Sequence, residues 1–184
     1  PESVLVKASP AAPIDIQNFA SLLLRLELYG IDVGSHWNTL ANVCANRVNN
    51  HGNAFGNVHD MMVLTATGQF DKADELIASM SAEYAAEQGS VALAYNAIGI
   101  PVCLALVAHR KNNPAQVLEL LGGVRRDLAL MGGSHAQRDV FYHLLVHTAE
   151  KLNRHDLRAI YLIDIERLGF CDVPSRAAYQ TVNH

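Results

Sequence analysis

Four polar residues recur at every fourth position late in the chain, and their types could bind a ligand or a metal. They are His135, Asp139, His143 and His147. Because residues four apart lie on the same side of a helix, this spacing predicts a polar stripe that drifts slowly around one side. The apolar residues of the segment centre on the opposite side, so we expect the stripe to face solvent or a groove. Arg138 lies beside it and could clamp a carboxylate or a phosphate.

Three interpretations of this stripe stay open. Imidazole and carboxylate groups bind zinc and exchange protons, and His59 and Asp60 from an earlier segment could complete such a set. The compact His-Glu-x-x-His motif of zinc helices is absent from the sequence, however. The stripe could instead contact a ligand without doing chemistry, or be structural, with Ser134 and Gln137 capping the helix. We predict no catalytic residue, no metal ligand and no cofactor.

His59 and Asp60 lie in an apolar stretch between Val58 and Met61. A buried histidine that donates to a backbone carbonyl is the ordinary explanation for such a position. Asp60 needs a partner because an unpaired buried carboxylate is costly, and we expect an Arg or His from an adjacent helix pair. The functional alternative brings both residues to the stripe. It gives the candidate ligand-binding set His59, Asp60, His135, Arg138, Asp139 and His143.

Helical periodicity predicts four successive helix pairs and no strand. The pairs are Ile14–Tyr29 with His36–Val48, Asn57–Thr67 with Lys72–Glu87, Val91–Arg110 with Pro114–Met131, and His135–Leu152 with Asp156–Leu168. Gly99 and Pro101 predict a kink or a break in the third pair. Asp71 is predicted to cap the second helix of the second pair, and Ser134 with Gln137 to form a capping box.

The pairs recur about every 40 residues, which is a spacing of helical-hairpin repeats. The segment Gly68–Ala73 fits a tetratricopeptide hairpin, since the glycine ends one helix and the small alanine lets the next helix pack closely. Arg110 and Asn153 stand at the glycine position of the third and fourth pairs. We predict an all-α, tetratricopeptide-like solenoid of about four antiparallel helix pairs over residues 14–168, with the first helix of each pair on a shared concave wall. Residues 1–13 are predicted to form an extended arm and residues 169–184 an irregular tail.

Composition limits the classes of partner. The 184 residues carry a net charge of −4 and only 17% of them are charged, so no basic face for nucleic acid is expected. Three widely spaced cysteines fit buried thiols in a reducing compartment: Cys44, Cys103 and Cys171. No signal peptide is evident, and no apolar run is expected to approach the roughly 20 residues that span a bilayer. We therefore expect a cytoplasmic protein that does not bind membranes.

Four segments together resemble the tetratricopeptide repeat protein 38-like family. They are Leu24–Trp37, Phe55–Asp60, Gly99–Ala105 and Gly132–Phe141, of which the last, a ten-residue polar motif, is the most specific. The resemblance extends from about Leu22 to Leu168 and implies a helical-repeat fold without adding an activity. Members of that family are usually more than twice as long, which implies that this chain is a C-terminal portion. Asn57 stands where the family pattern leads us to expect Asp.

Two functional hypotheses follow, besides an inert structural piece. The first is an interaction module whose concave face binds a protein or a peptide, either the missing N-terminal half or a second copy of the chain. The strongly apolar helix at residues 14–28 favours it, because the outer face of an end repeat is normally polar. The alternative is an enzyme or a small-ligand-binding domain that uses the His, Asp and Arg candidates in one pocket on that face.

Overall fold

A computed structural model describes residues 13–169, which are helical and contain no strand. The helices are α1 Pro13–Leu28, α2 Asn38–Ala45, α3 Ala54–Ala66, α4 Phe70–Tyr84, α5 Ser90–Leu93, α6 Ile100–Arg110, α7 Pro114–Val124, α8 His135–Lys151 and α9 His155–Arg167. A 3-10 segment, Gly34–Trp37, precedes α2, and another, Arg125–Met131, follows α7. The all-α class is confirmed. The predicted arm and tail lie outside the described residues, except for Pro13, which begins α1, and Gly169.

Two predicted helix starts need correction. The second helix of the second pair begins at Phe70, so Asp71 lies in its first turn and is not its N-cap. A carboxylate there still interacts favourably with the positive end of the helix dipole. The predicted helix Asn57–Thr67 begins three residues earlier, because the side chain of Asn53 caps it by accepting from the backbone N–H of Gly56 at 2.6 Å.

The predicted break at Pro101 is a π-helical segment, Ala94–Gly99, which joins α5 to α6. Proline lacks a backbone N–H, and its ring clashes with the carbonyl four residues earlier, so a regular α-helical ladder cannot pass through it. A π turn, with hydrogen bonds five residues apart, absorbs this mismatch. Residues Ser90–Arg110 therefore form one continuous helix.

This helix also corrects the expectation that no apolar run is long enough to span a bilayer. Within the described part of the chain, Ser90–Arg110 is one helix of 21 residues that is long and apolar enough to cross a membrane. About 56% of its most apolar window is buried against the rest of the protein. The core helix of a soluble protein has the same length and composition, so this feature is weak evidence for a membrane.

The first helix of each pair ends in the same hydrogen-bonded motif. A residue with positive φ follows the helix, at Gly30, Gly68, Asn112 and Asn153, with φ of 74°, 71°, 55° and 54°. At Gly68 the backbone N–H donates to the carbonyl of Thr65, and the next N–H, of Gln69, donates back to Leu64. These two bonds define a Schellman motif, and they recur at the other three positions. Asn112, and not Arg110, thus occupies the glycine position of the third pair.

Contacts between the pairs fill the inner side of the molecule. Helix α3 packs against α1, α2 and α6, and α7 packs against α6. Helix α8 packs on α7 and α9 and also on α1, so the fourth pair returns to the first. Fully buried side chains lie between these helices, among them Met61, Met62, Phe141 and Leu144. The inner side of α1, α3 and α8 is therefore a core.

The predicted capping box at the start of α8 is present. The hydroxyl oxygen of Ser134 accepts from the backbone N–H of Gln137 at 3.3 Å, and the Gln137 side-chain oxygen accepts from the backbone N–H of Ser134 at 2.9 Å.

We expect Ser134→Ala to lower the free energy of unfolding by about 1 kcal/mol, since it leaves a helix-terminal donor without its partner. Urea unfolding measures this. Ser81→Ala, inside α4, is the control and should not destabilise; an equal loss in both variants would contradict the capping role.

Candidate functional site

The polar stripe of α8 lies along its seam with α1. The Tyr29 ring meets the His143 ring edge to face, with centroids 6.2 Å apart, and Arg25 donates to the Ala136 carbonyl at 2.6 Å. Because α1 covers the stripe, Asp139 and His143 are only 1% and 6% exposed. The expectation that the stripe faces solvent or an open groove was wrong for these two residues. The sequence pattern did not indicate that α8 packs against α1.

Within the seam, Asp139 and His143 form a buried pair. The Nε2 atom of His143 lies 3.2 Å from the Oδ2 atom of Asp139, one helical turn earlier. A carboxylate beside an imidazole can serve in acid–base chemistry. Here, however, the Tyr29 ring lies against His143, and the imidazole is buried. The opening beside it, lined by Leu28, Tyr29, His143, His147 and Glu150, has a volume of only about 50 Å³. That volume is far below the several hundred Å³ of ordinary ligand sites.

The two remaining candidates on α8, Arg138 and His135, contact nearby backbone carbonyls. The guanidinium of Arg138 donates to the carbonyls of Gly132 and Gly133, the loop that leads into α8, and the residue is 8% exposed. The predicted place of Arg138 on an open binding surface was therefore wrong. His135 is exposed, and its Nδ1 atom lies 3.2 Å from the Leu168 carbonyl. These contacts fasten the start of α8 to its loop and to the end of α9.

His59 is a buried histidine bonded to a backbone carbonyl, as the structural interpretation expected. Its Nδ1–H donates to the Phe55 carbonyl at 2.7 Å, and because a carbonyl only accepts, Nε2 is left to accept from the Ser21 hydroxyl at 2.8 Å. Burial lowers the pKa of His59 to about 4, so the ring is neutral at physiological pH. The Phe141 ring of α8 lies edge-on at 6.3 Å. His59 thus joins α1, α3 and α8 in the interior.

Asp60 pairs with an arginine from the preceding helix pair, as predicted. Arg47, in the turn after α2, places its Nη2 atom 3.6 Å from Asp60 Oδ2. Neither carboxylate oxygen of Asp60 has a hydrogen-bond partner, and the residue is 1% exposed. Burial raises the pKa of Asp60 to about 6, while the charge of Arg47 and the neighbouring Cys44 thiol oppose this rise. The pair is an ion pair without a hydrogen bond.

The six candidates do not share one pocket. His59 contacts α1 and α8, whereas Asp60, the next residue, contacts the end of α2. Successive helical residues differ by about 100° in direction, so neighbours on a buried helix face different partners. Among residues 13–169, no group of three or more His, Cys, Asp or Glu side chains is arranged to hold a metal ion. The predicted common pocket was wrong.

A pocket that the sequence interpretation missed lies at the start of α3. It has a volume of about 300 Å³ and is lined by Pro13, Gln17, Arg47, Asn50, Gly52, Asn53, Gly56 and Asn57. We call it the α3 pocket. The sequence signal was the run of asparagines from Asn46 to Asn57, which reads equally well as a loop that ends and begins helices. The pocket wall also includes Gln17, about forty residues earlier on α1, so the pocket could not be inferred from the local sequence.

Asn57 holds the wall of the α3 pocket in place. Its side-chain N–H donates to the Asn50 carbonyl at 2.9 Å, and its side-chain oxygen lies 3.1 Å from Nδ1 of His51. The other nitrogen of His51 lies 2.5 Å from the Ser79 hydroxyl on α4. An aspartate at position 57 could not donate to Asn50, because an ionised carboxylate only accepts. This accounts physically for an amide at the position where the resemblance leads us to expect Asp.

The two described cysteines are buried free thiols, Cys44 and Cys103. Burial raises the pKa of both thiols, so neither is a reactive thiolate. The expectation of buried small hydrophobic residues is confirmed for these two. Cys171 lies outside the described residues.

Comparisons with known proteins do not place the chain in a family. No protein-family model matches it, and no solved structure matches it significantly. The resemblance to the tetratricopeptide repeat protein 38-like family stays a prediction from its four segments.

Proposed function

We propose that the chain is a protein- or peptide-interaction module, built as a tetratricopeptide-like stack of four helix pairs and related to the tetratricopeptide repeat protein 38-like family. The identical Schellman motif after each first helix supports an internal repeat. The packing of α1 on α3 and of α3 on α6 supports the stacking of successive pairs. The sequence predicted that a partner binds the concave face lined by the first helices. Because α8 packs on α1 and fills that side, we propose an outer face instead.

An exposed apolar stripe on α1 carries this proposal. Ile14, Leu22 and Tyr29 are 53%, 43% and 48% exposed. At about 100° per residue these three positions fall within an arc of roughly 80°, so they share one side of the helix. Ile31, just past the helix end, is also 50% exposed. Large apolar side chains that recur along one side of an exposed helix mark an interaction site more often than isolated ones do.

The shape of this α1 stripe selects the kind of partner. From Ile14 to Tyr29 it extends about 22 Å at a rise of about 1.5 Å per residue, and it is one side chain wide. Asn18 and Arg25 lie between its apolar members and are already bonded to α8 through Gln137 and Ala136. A single polypeptide segment with two or three apolar anchors matches this length and width, whereas a broad protein face does not.

A displayed library of random peptides, selected on the purified chain, tests the proposal. We expect enriched peptides that share apolar anchor residues. Their affinity for the Leu22→Glu variant should be at least tenfold lower, because the new carboxylate would lie where an apolar anchor binds. Ile163→Glu, on the outer face of α9 where Ile163 is 46% exposed, is the matched control and should bind normally. No enrichment, or enriched peptides that bind Leu22→Glu as well as the parent chain, would rule the proposal out.

The proposal keeps a cytoplasmic location and excludes nucleic acid as a partner. Two free, buried thiols, Cys44 and Cys103, fit a reducing compartment. We do not propose a catalytic pocket of His, Asp and Arg residues. His59 and Asp60 face different partners from α3, and Arg138 binds the local backbone. Asp139 and His143 form a pair that is buried in the seam with α1.

A further inference from the structure

We propose that the α3 pocket binds a small organic carboxylate, held by Arg47 and by the side-chain amides of Gln17, Asn50 and Asn53. This site is separate from the α1 stripe, and the proposal does not depend on the peptide-binding function.

The charge of the pocket favours an anion. Among the residues that the structure describes, Arg47 is the only ionisable one that lines the pocket, and no carboxylate is part of the lining. The chain as a whole carries a net charge of −4, so a pocket with a cation in its wall is unlike the average surface. The first turn of α3, a helix of 13 residues, also forms part of the wall, and the N-terminal end of a helix carries partial positive charge.

Asp60 attracts the guanidinium of Arg47 by charge and accepts no hydrogen bond from it. The two groups are 3.6 Å apart, and neither oxygen of the buried Asp60 carboxylate accepts a hydrogen bond. The side chain of Arg47 is 23% exposed, so its planar donors can reach the pocket while its charge is attracted toward the interior. A guanidinium held in this way can form two parallel bonds to a carboxylate.

Size and lining favour a carboxylate on a small organic molecule over a bare ion. The volume of about 300 Å³ is at the lower end of the range for small-molecule sites and exceeds what one inorganic ion fills. Amide side chains offer both donors and acceptors, which suits a ligand with further polar groups. Gly52 and Gly56 leave the backbone accessible, and a Cβ at Gly56 would lie 3.2 Å from Asn53 Oδ1 and 3.6 Å from Gln17 Nε2.

The test is a titration of the ¹⁵N-labelled chain with succinate and glutarate, followed by NMR. Saturable shifts are expected at the amides of Gly52 and Gly56 and at the side chains of Gln17 and Asn53. Arg47→Gln should weaken binding at least tenfold by removing the cation, and Gly56→Ala should do so by adding a methyl group to the pocket. The second variant keeps Arg47 paired with Asp60, so it remains informative if the first one loses stability.

Two matched controls separate the site from general effects. Gly123→Ala adds a methyl group to α7 where no atom lies within 4 Å, and Arg167→Gln removes an exposed cation from α9. Both variants should bind the acids like the parent chain. The proposal is overturned if neither acid shifts the pocket resonances, if succinamide or inorganic phosphate binds as tightly as the acids, or if Gly56→Ala leaves the affinity unchanged.

Discussion

Replacing Gly133 by alanine should lower the free energy of unfolding by about 4 kcal/mol, which combines backbone strain with overpacking. Gly133 has φ of +76° in the loop before α8. An added Cβ would lie 2.5 Å from the nearest ring atom of Phe55, far inside van der Waals contact. Phe55 is 3% exposed and its ring lies 4.2 Å from that of His59, so the ring cannot move without disturbing the junction of α1, α3 and α8.

Gly30→Ala is the control that separates the two causes. Gly30 has nearly the same φ, +74°, and no atom lies within 4 Å of the added methyl group. It should cost only the strain of the left-handed backbone, about 1 kcal/mol. Urea unfolding of both variants measures the difference. A double variant tests the cause, since Phe55→Leu should reduce the cost of Gly133→Ala toward that of Gly30→Ala. Equal costs in Gly133→Ala and Gly30→Ala would show that the contact with Phe55 does not matter.

The elements of this fold were predictable because their signals are local. Apolar periodicity gave the helices, and Ser134 with Gln137 gave the capping box that the structure contains. The repeat signal was harder to see, since the left-handed position after each first helix is glycine in two pairs and asparagine in the other two. Both residues tolerate positive φ, glycine because it has no Cβ and asparagine because its short polar side chain bonds locally. The Asn residues hide the repeat in the sequence while preserving it in the backbone.

The candidate site could not be predicted, because it depends on which helix covers which. The stripe of α8 was placed on the correct side of its own helix, but the packing of α1 over that side buried Asp139 and His143. Helical periodicity gives the direction of a side chain about its own helix axis. It does not show that α8 packs against α1, which lies more than 100 residues earlier in the chain. The same reason explains the α3 pocket, whose wall combines Gln17 of α1 with Arg47 and Asn53.

Asp60→Asn should stabilise the protein by about 2 kcal/mol at pH 7.5 and have little effect near pH 4. Burial raises the pKa of Asp60 from 3.8 to about 6, so the folded state keeps a proton that the unfolded state has released between these values. Stability therefore falls as pH rises through this window, by about 1.4 kcal/mol per unit of pKa difference, or roughly 3 kcal/mol in all. Asparagine removes the buried charge, and the loss of the pairing with Arg47 offsets part of the gain.

The neighbouring His59 contributes with the opposite sign, which makes the comparison of pH profiles decisive. Its pKa is lowered from 6.5 to about 4. Its contribution to the free energy of unfolding is therefore complete above pH 6.5 and is lost as pH falls toward 4. Between pH 4 and 6 the two residues largely cancel in the parent chain. Asp60→Asn should leave His59 unopposed, so the free energy of unfolding of the variant should rise steeply from pH 4.5 to 7.5, as measured by urea titration at both values. Asp74→Asn, at an exposed site of α4, should follow the parent profile. If Asp60→Asn is less stable than the parent chain at pH 7.5, the carboxylate stabilises the fold through Arg47, and its burial is not the dominant cost.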